Sequence, residues 1–300
     1  MGWTEKQSPE GDAVFLDHVA WFVGDLDRAV AVFERLGFTV GPENVHMNRA
    51  PDGSTAPSGT LNRLATTTIG FLEFLGARGD TPLARQHQAG LDRYEGLHLL
   101  AFSSADVPGE VPRLRDAGFR PDTPVDMRRK LEIDGETVEA RFSVLRQPPE
   151  IMPEGRVQWC AHHTPQYVWE PRQAALPNHI DALTGALWIV DDVAEALDRY
   201  GRYLRKPPTA EGGGKGRIDL DRGAILFATP AAGAEMLPGL TAPTTPYGAA
   251  VYLRSTDLDA TETFLRSAEI DCRRVGDRLV VDRSAALGVT LVIHASDAAP

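Results

Sequence analysis

LDHVAWFVGDLDRAVAVFERLGF, residues 16–38, decides the fold of this chain. Residues 16–23 are mostly apolar and rich in β-favouring types, which predicts a buried strand. Apolar residues then recur at Ala29, Val32, Phe33 and Leu36, a helical spacing that puts one face toward a core. The Asp25 carboxylate can accept from the free N–H groups of the first turn, and Gly37 can take the left-handed conformation that ends a helix. Residues 38–40, 61–68 and 70–75 read as three further extended segments. The unit is a strand, a helix and three strands.

The same grammar recurs three times. Residues 96–103 form a strand and 107–117 a helix, and Gly118 follows Asp106 by 12 positions, as Gly37 follows Asp25. Residues 186–190 lead through Asp192 into a helix ending near Leu204, with a later strand at 223–229. This third unit is the weakest, because only two strands after its helix are visible. Residues 249–254 lead into Asp257-Leu258-Asp259, matching Asp25-Leu26-Asp27, then a helix to Ala268 and strands at 272–275, 278–282 and 289–294. The prediction is an α+β fold of four βαβββ modules forming two paired open barrels. A Pro-rich polar stretch at 163–179 separates the pairs, so domains are expected at 1–170 and 180–300. Paired modules enclose a concave cavity lined by alternate strand residues.

Charge narrows the partners. With 31 Lys+Arg against 42 Asp+Glu and a net charge of −11, the chain argues against nucleic acid and anionic membrane surfaces. No apolar run approaches the roughly 18 residues that a membrane span needs. The opening residues are polar and acidic, unlike a signal peptide. Cys160 and Cys272 lie 112 residues apart with no CxxC, which fits a reducing, cytoplasmic setting. A small-molecule substrate or ligand is the expected partner, and homodimerisation stays open.

Polar residues at cavity positions carry the functional expectation. His18 shares a strand face with Ala20 and Phe22, and His98 with Leu100 and Phe102, so both strands read His-x-x-x-Phe. Counted from the helix caps the match is imperfect: His18 precedes Asp25 by seven residues and His98 precedes Asp106 by eight. One extra residue in the turn at 103–105 would reconcile them. Glu73 lies three after Gly70, and Gln158 three after Gly155. In the third and fourth modules, Gly185 and Ala250 fall at the His18 position, and Leu226 and Leu291 at the Glu73 position. The polar set is therefore confined to the first pair. Two imidazoles and a carboxylate suit a divalent ion such as Fe, Zn, Ni or Mn. Gln158 is the in-register fourth donor, with His162 and His163 as alternatives beyond the strand end. The plainer reading makes each histidine a hydrogen-bonded core residue and pairs Glu73 with an arginine.

A second cluster comprises His46, Asn48 and Gly59-Thr60-Leu61-Asn62. Asn62 can both donate to and accept from a bound carbonyl compound, and His46 is expected in a loop over the cavity mouth, as lid or acid/base. The alternative makes Gly59 and Asn62 turn residues and His46 solvated. Trp159, Tyr167 and Trp169 pack the junction or close a pocket wall. Residues 212–216, GGGKG, lack phosphate-loop spacing and read as a flexible loop.

These residues resemble the vicinal oxygen chelate superfamily of glyoxalases, extradiol dioxygenases and bleomycin-resistance proteins. The opening DHV…DLDRAVAVFERLGF, with His46, Gly59-Thr60-Leu61-Asn62 and Gly70-Phe71-Leu72-Glu73-Phe74, is similar to its glyoxalase-like domain subgroup over roughly residues 14–76. The resemblance implies His18, Glu73 and His98 as metal positions. It departs at Gln158, where glyoxalase-type sites carry an acid. It departs from the dioxygenase pattern too, in which the acid comes from the last strand of the pair's second module. The implied activity is a metal-dependent lyase, isomerase or dioxygenase acting on a small oxygen-chelating substrate. The alternative is a metal-free binding or sequestering protein of the bleomycin-resistance type.

Overall fold

The computed structural model describes residues 7–49, 55–133, 135–169 and 176–295. The first module is β1 (Phe15–Phe22), α1 (Leu26–Arg35), β2 (Asn44–Arg49), β3 (Thr55–Thr66) and β4 (Phe71–Ala77). Asp25 caps α1 by accepting from the Asp27 and Arg28 backbone N–H groups. Gly37 closes the helix at a φ of 86°. The second strand lies beyond the 38–40 segment expected from sequence, where Val40 makes only an isolated bridge to Ala65. β3 begins upstream of residue 61, so Gly59-Thr60-Leu61-Asn62 lies within a strand.

A helix not expected from sequence, α2 (Pro82–Arg93), leads to the second module. Its N-cap Thr81 donates to Ser58 O at 2.7 Å and packs where a side chain on Gly59 would have to sit. Glycine is thus required at 59 by the close approach of α2. The second module is β5 (Gly96–Ser103), α3 (Val107–Asp116), β6 (Val125–Ile133), β7 (Glu136–Arg146) and β8 (Arg156–His162). The third comprises β9 (Ile180–Ile189), α4 (Val193–Leu204), β10 (Pro208–Gly212), β11 (Lys215–Asp219) and β12 (Ala224–Ala228). It is a full module, because the glycine stretch expected as a loop forms the tight β10–β11 hairpin. After α5 (Pro230–Met236) come β13 (Tyr247–Ser255), α6 (Leu258–Ser267), β14 (Cys272–Val275), β15 (Arg278–Val281) and β16 (Thr290–His294).

Within each pair the leading strands run antiparallel, β1 with β5 and β9 with β13. In every module the last strand lies parallel to the first. Gly248 pairs with Leu97 between β13 and β5, joining the pairs into one open sixteen-stranded sheet among the described residues, and isolated bridges from Phe15 to Arg222 and from Ile69 to Ala182 also cross between them. One large core holds both pairs. It includes Trp21, Phe33 and Trp159 from the first, and Trp188, Tyr203 and Leu291 from the second.

The concave faces of the two pairs differ. In the second pair the face is filled by Leu187, Leu226, Ala250, Tyr252 and Val292, with Ala232 of α5 packed among them. Gly185 and Leu226 do occupy the counterparts of His18 and Glu73, since Gly185 pairs with Ala224 and Leu187 with Leu226. In the fourth module the counterpart of Glu73 is Val292, not Leu291. Ala250 pairs with Thr290, and Leu291 turns to the large core, one residue out of the expected register.

Candidate functional site

The first pair keeps an open cavity of about 610 Å³, its mouth included. His18, Glu73, Gln158, Asn62 and His46 line it, together with Leu99, Met127, Phe142, Val144 and Cys160. β1 and β4 are parallel neighbours with Ala20 opposite Glu73, which places His18 and Glu73 on one face, one strand apart.

His18 is held from both sides. Its Nδ1 lies 2.6 Å from Asp17 Oδ1, and its ring stacks on Phe71 with centroids 4.3 Å apart. Its Nε2 points the other way, 3.6 Å from Glu73 Oε2. Glu73 Oε1 accepts from Asn62 Nδ2, and Asn62 Oδ1 in turn accepts from Asn44 Nδ2 at 3.3 Å. Asp17 is fully buried and also accepts from the Ser103 hydroxyl, with His162 Nε2 3.1 Å from both its oxygens. Burial alone would raise the Asp17 carboxyl, but His162 and His18 outweigh it and hold it well below the usual carboxylate range.

The residues fit a divalent ion. An imidazole nitrogen and a carboxylate oxygen 3.6 Å apart can both reach one metal at about 2.0–2.2 Å, and a carboxylate behind the histidine fixes the ring as it does in many metal sites. Asp17, His18 and Cys160 also bring ligand atoms within 4.8 Å of one another. That trio is the poorer cage, because Asp17 is already engaged and burial pushes the Cys160 thiol well up, away from the thiolate a metal needs.

His98 does not join this group. β5 is bulged against β1 between Leu97 and Leu99, at His98, while beyond the bulge Ala101 pairs with His18 and Leu99 lines the cavity. Ala20 lies beside Glu73 and Ala101 beside Gln158, which makes Leu99 the true counterpart of His18. Counting seven residues back from Asp106 reaches Leu99, whereas the His-x-x-x-Phe match does not. His98 is a core residue with Nε2 2.8 Å from Tyr94 O, stacked between Tyr94 and Phe22. Burial pushes it down to about 4, against the pull of that carbonyl.

Gln158 lines the cavity, its amide 3.7 Å from Cys160 Sγ. His162 also lines the cavity, its buried side chain on Asp17, while His163 turns to Ser143 at 2.6 Å and is not among the lining residues. His46 sits on β2, not in a loop, with Nδ1 2.9 Å from Thr60 Oγ1. The Asn48 side chain lies outside the described residues. Trp169 donates to Gly70 O at 3.1 Å and stands edge-on to His162 and Phe71, whereas Trp159 faces the large core. Val168 closes part of the cavity wall, and of the 163–179 stretch residues 170–175 are not described.

Sequence reasoning missed three arginines. Arg129 on β6, Arg146 on β7 and Arg156 at the start of β8 all line the cavity. Burial pushes the His46 imidazole down to about 4, opposed by Glu73, with a smaller push from these arginines. The signal was the two-residue alternation Met127, Arg129 and Phe142, Val144, Arg146, obscured by the basic run Arg128-Arg129-Lys130.

A family model described as "Glyoxalase-like domain" matches residues 16–204. The chain belongs to this family. A hypothetical protein from Staphylococcus aureus is similar in structure, with a TM-score of 0.65 at 10% identity, over 94% of this chain and 100% of that one. A mutant 4-hydroxymandelate synthase from Streptomyces coelicolor gives 0.51 at 13% identity, over 95% and 94%. A xylose isomerase-like TIM barrel/4-hydroxyphenylpyruvate dioxygenase fusion protein gives 0.53 at 9%, over 98% of this chain and 51% of that one. At such identities the likeness is one of fold. No curated protein matches the sequence.

Proposed function

We propose that this glyoxalase-like protein is a metal-dependent enzyme whose first module pair binds a small oxygen-bearing substrate, with His18 and Glu73 as the principal ligands and Gln158 as a weaker third. The observation that carries this reading is the buried pair of His18 Nε2 and Glu73 Oε2, 3.6 Å apart and facing each other. A divalent ion bound there supplies a Lewis acid for vicinal substrate oxygens. Asp17 holds the His18 ring in orientation, and Asn62 fixes one Glu73 oxygen so that the other stays directed at His18. His46, held near pKa 4 and on Thr60, is neutral at pH 7 and serves as a hydrogen-bonding group toward substrate, not as a charged acid. Leu99, Met127, Phe142 and Val144 supply the apolar wall that excludes water.

The test is metal analysis of protein purified without chelator, with melting curves on adding Fe, Ni, Zn or Mn. About one metal per chain is expected, lost in His18→Ala and in Glu73→Gln. No stoichiometric metal and an unmoved melting midpoint would sink the proposal. A second reading, a metal-free binding protein, draws on Leu99, which puts an apolar side chain where a second imidazole was expected. It predicts that His18→Ala leaves ligand affinity intact.

A further inference from the structure

Three guanidinium groups face one carboxylate in the cavity. Arg129, Arg146 and Arg156 line it, and Glu73 is the carboxylate among its lining residues. None of the three arginines makes an ion pair within 4 Å among the described residues. Arg156 is buried, with Nε and Nη2 both on the neutral Gln86 Oε1 at 3.1 and 2.6 Å, and its guanidinium lies over the Phe22 ring. Arg146 reaches only Met127 Sδ, at 3.8 Å, and its Nε is buried without a partner. Arg129 Nε is likewise buried and unpartnered. Burial and the neighbouring Arg146 push Arg156 down to about 9, Glu73 pulling the other way. Glu73 itself is engaged by Asn62.

Buried charge is retained only where something compensates it, and unpaired guanidinium N–H groups in a cavity match the oxygens of a planar oxyanion. Beside the polar His18, His46, Asn62, Gln158 and His162, one stretch of the lining is apolar: Leu75, Leu99, Met127, Phe142 and Val144. Hydrated inorganic anions gain nothing from such a wall, whereas an organic acid buries its hydrocarbon body there.

We infer that the cavity recognises a small organic carboxylate, its head held by Arg129 and Arg146 with Arg156 beside them and its apolar body laid on Met127, Phe142, Val144 and Leu99. This rests on the first-pair cavity being the ligand site, as proposed above, but not on a bound metal. The arginines belong to the second module and His18 and Glu73 to the first, so anion recognition and the reactive pair come from opposite walls.

Calorimetric titration of the full chain tests this with benzoate and hexanoate, their neutral amides benzamide and hexanamide, and inorganic phosphate, each with and without EDTA. At least one acid should bind about tenfold or more tightly than its amide, as charge-assisted bonds predict, and do so in EDTA and in His18→Ala. Arg146→Met and Arg129→Met should each remove that preference by weakening acid binding far more than amide binding. In the absence of ligand, Arg146→Met should raise the melting midpoint, because it relieves a half-buried guanidinium whose Nε has no partner; a guanidinium serving only structure would lower it. Equal binding of acid and amide, binding of phosphate alone, or no binding of either acid overturns the inference. Acid binding that disappears only with EDTA also overturns it, since the metal then holds the carboxylate and the metal reading survives by itself. If Arg146→Met fails to fold, the acid-to-amide ratio in the native chain and in Arg129→Met still decides.

Discussion

At the scale of single residues, two histidines of similar sequence context have opposite fates. His18 keeps one nitrogen for the cavity because the buried Asp17 takes the other. His98, in the bulge of β5, is spent on the Tyr94 carbonyl and on two aromatic rings. Its folded pKa, near 4, lies below the ordinary value of about 6.5, so the unfolded chain binds the extra proton between those values. The stability tied to His98 is therefore complete above about pH 6.5 and lost as the pH falls toward 4, by about 3 kcal/mol. His98→Gln should flatten that acid limb in urea denaturation at pH 4.5 and 7.5. His87, also pushed down by burial, retains part of it. The same variant should leave metal content and ligand binding unchanged. A loss of either would return His98 to the site.

At the scale of elements, the repeated cap motif was legible because capping is local chemistry. Asp25, Asp106, Asp192 and Asp257 all accept from first-turn N–H groups of their helices. Asp25→Ala should cost about 1 kcal/mol in chemical denaturation. The two glycines that echo each other, Gly37 and Gly118, both sit at a φ of 86°. Only Gly37 is crowded: a Cβ there would lie 2.5 Å from Phe264 and 2.8 Å from Asn178, whereas at Gly118 the nearest atom is 3.8 Å away. Gly118→Ala should therefore cost about 1 kcal/mol of backbone strain, and Gly37→Ala clearly more, measured by the same denaturation. Equal costs would mean that α6 yields freely against α1. The β2 and α2 elements were not legible. β2 is short and polar, with Val45 and Met47 exposed, and its strand character comes from pairing with β3.

For the whole molecule, the halves are joined more tightly than a polar linker at 163–179 implies. Trp21 Nε1 donates to Ala286 O at 3.0 Å, and Arg113 Nη2 donates to Tyr203 O at 2.7 Å. Arg199 of α4 pairs in buried surroundings with Glu154 of the first half at 2.7 Å, and a single core runs through both. We propose that residues 180–300 form a structural half that buries the back of the active pair. Residues 1–176 expressed alone should accordingly lose near-ultraviolet circular dichroism and unfold without cooperativity, since Trp21, Phe102 and Trp159 would lose their cover. A truncated chain that is monomeric, cooperative and fully able to bind ligand would end that assignment. No helix among the described residues is long and apolar enough to cross a membrane.

The sequence by itself determined the four modules, their helix caps and the confinement of polar residues to the first pair, because strand alternation, helical spacing and capping act within a few residues. Tertiary structure alone decided which polar residues meet. Register decided that Leu99, alternating with Ala101, faces the cavity where His98 was expected, since a shift of one residue moves a side chain to the other face. Long-range pairing of β6, β7 and β8 gathered Arg129, Arg146 and Arg156 from positions up to 27 residues apart into one low-dielectric space. Only that shared space turns three scattered positive charges into a binding preference, because charges interact strongly where water is excluded.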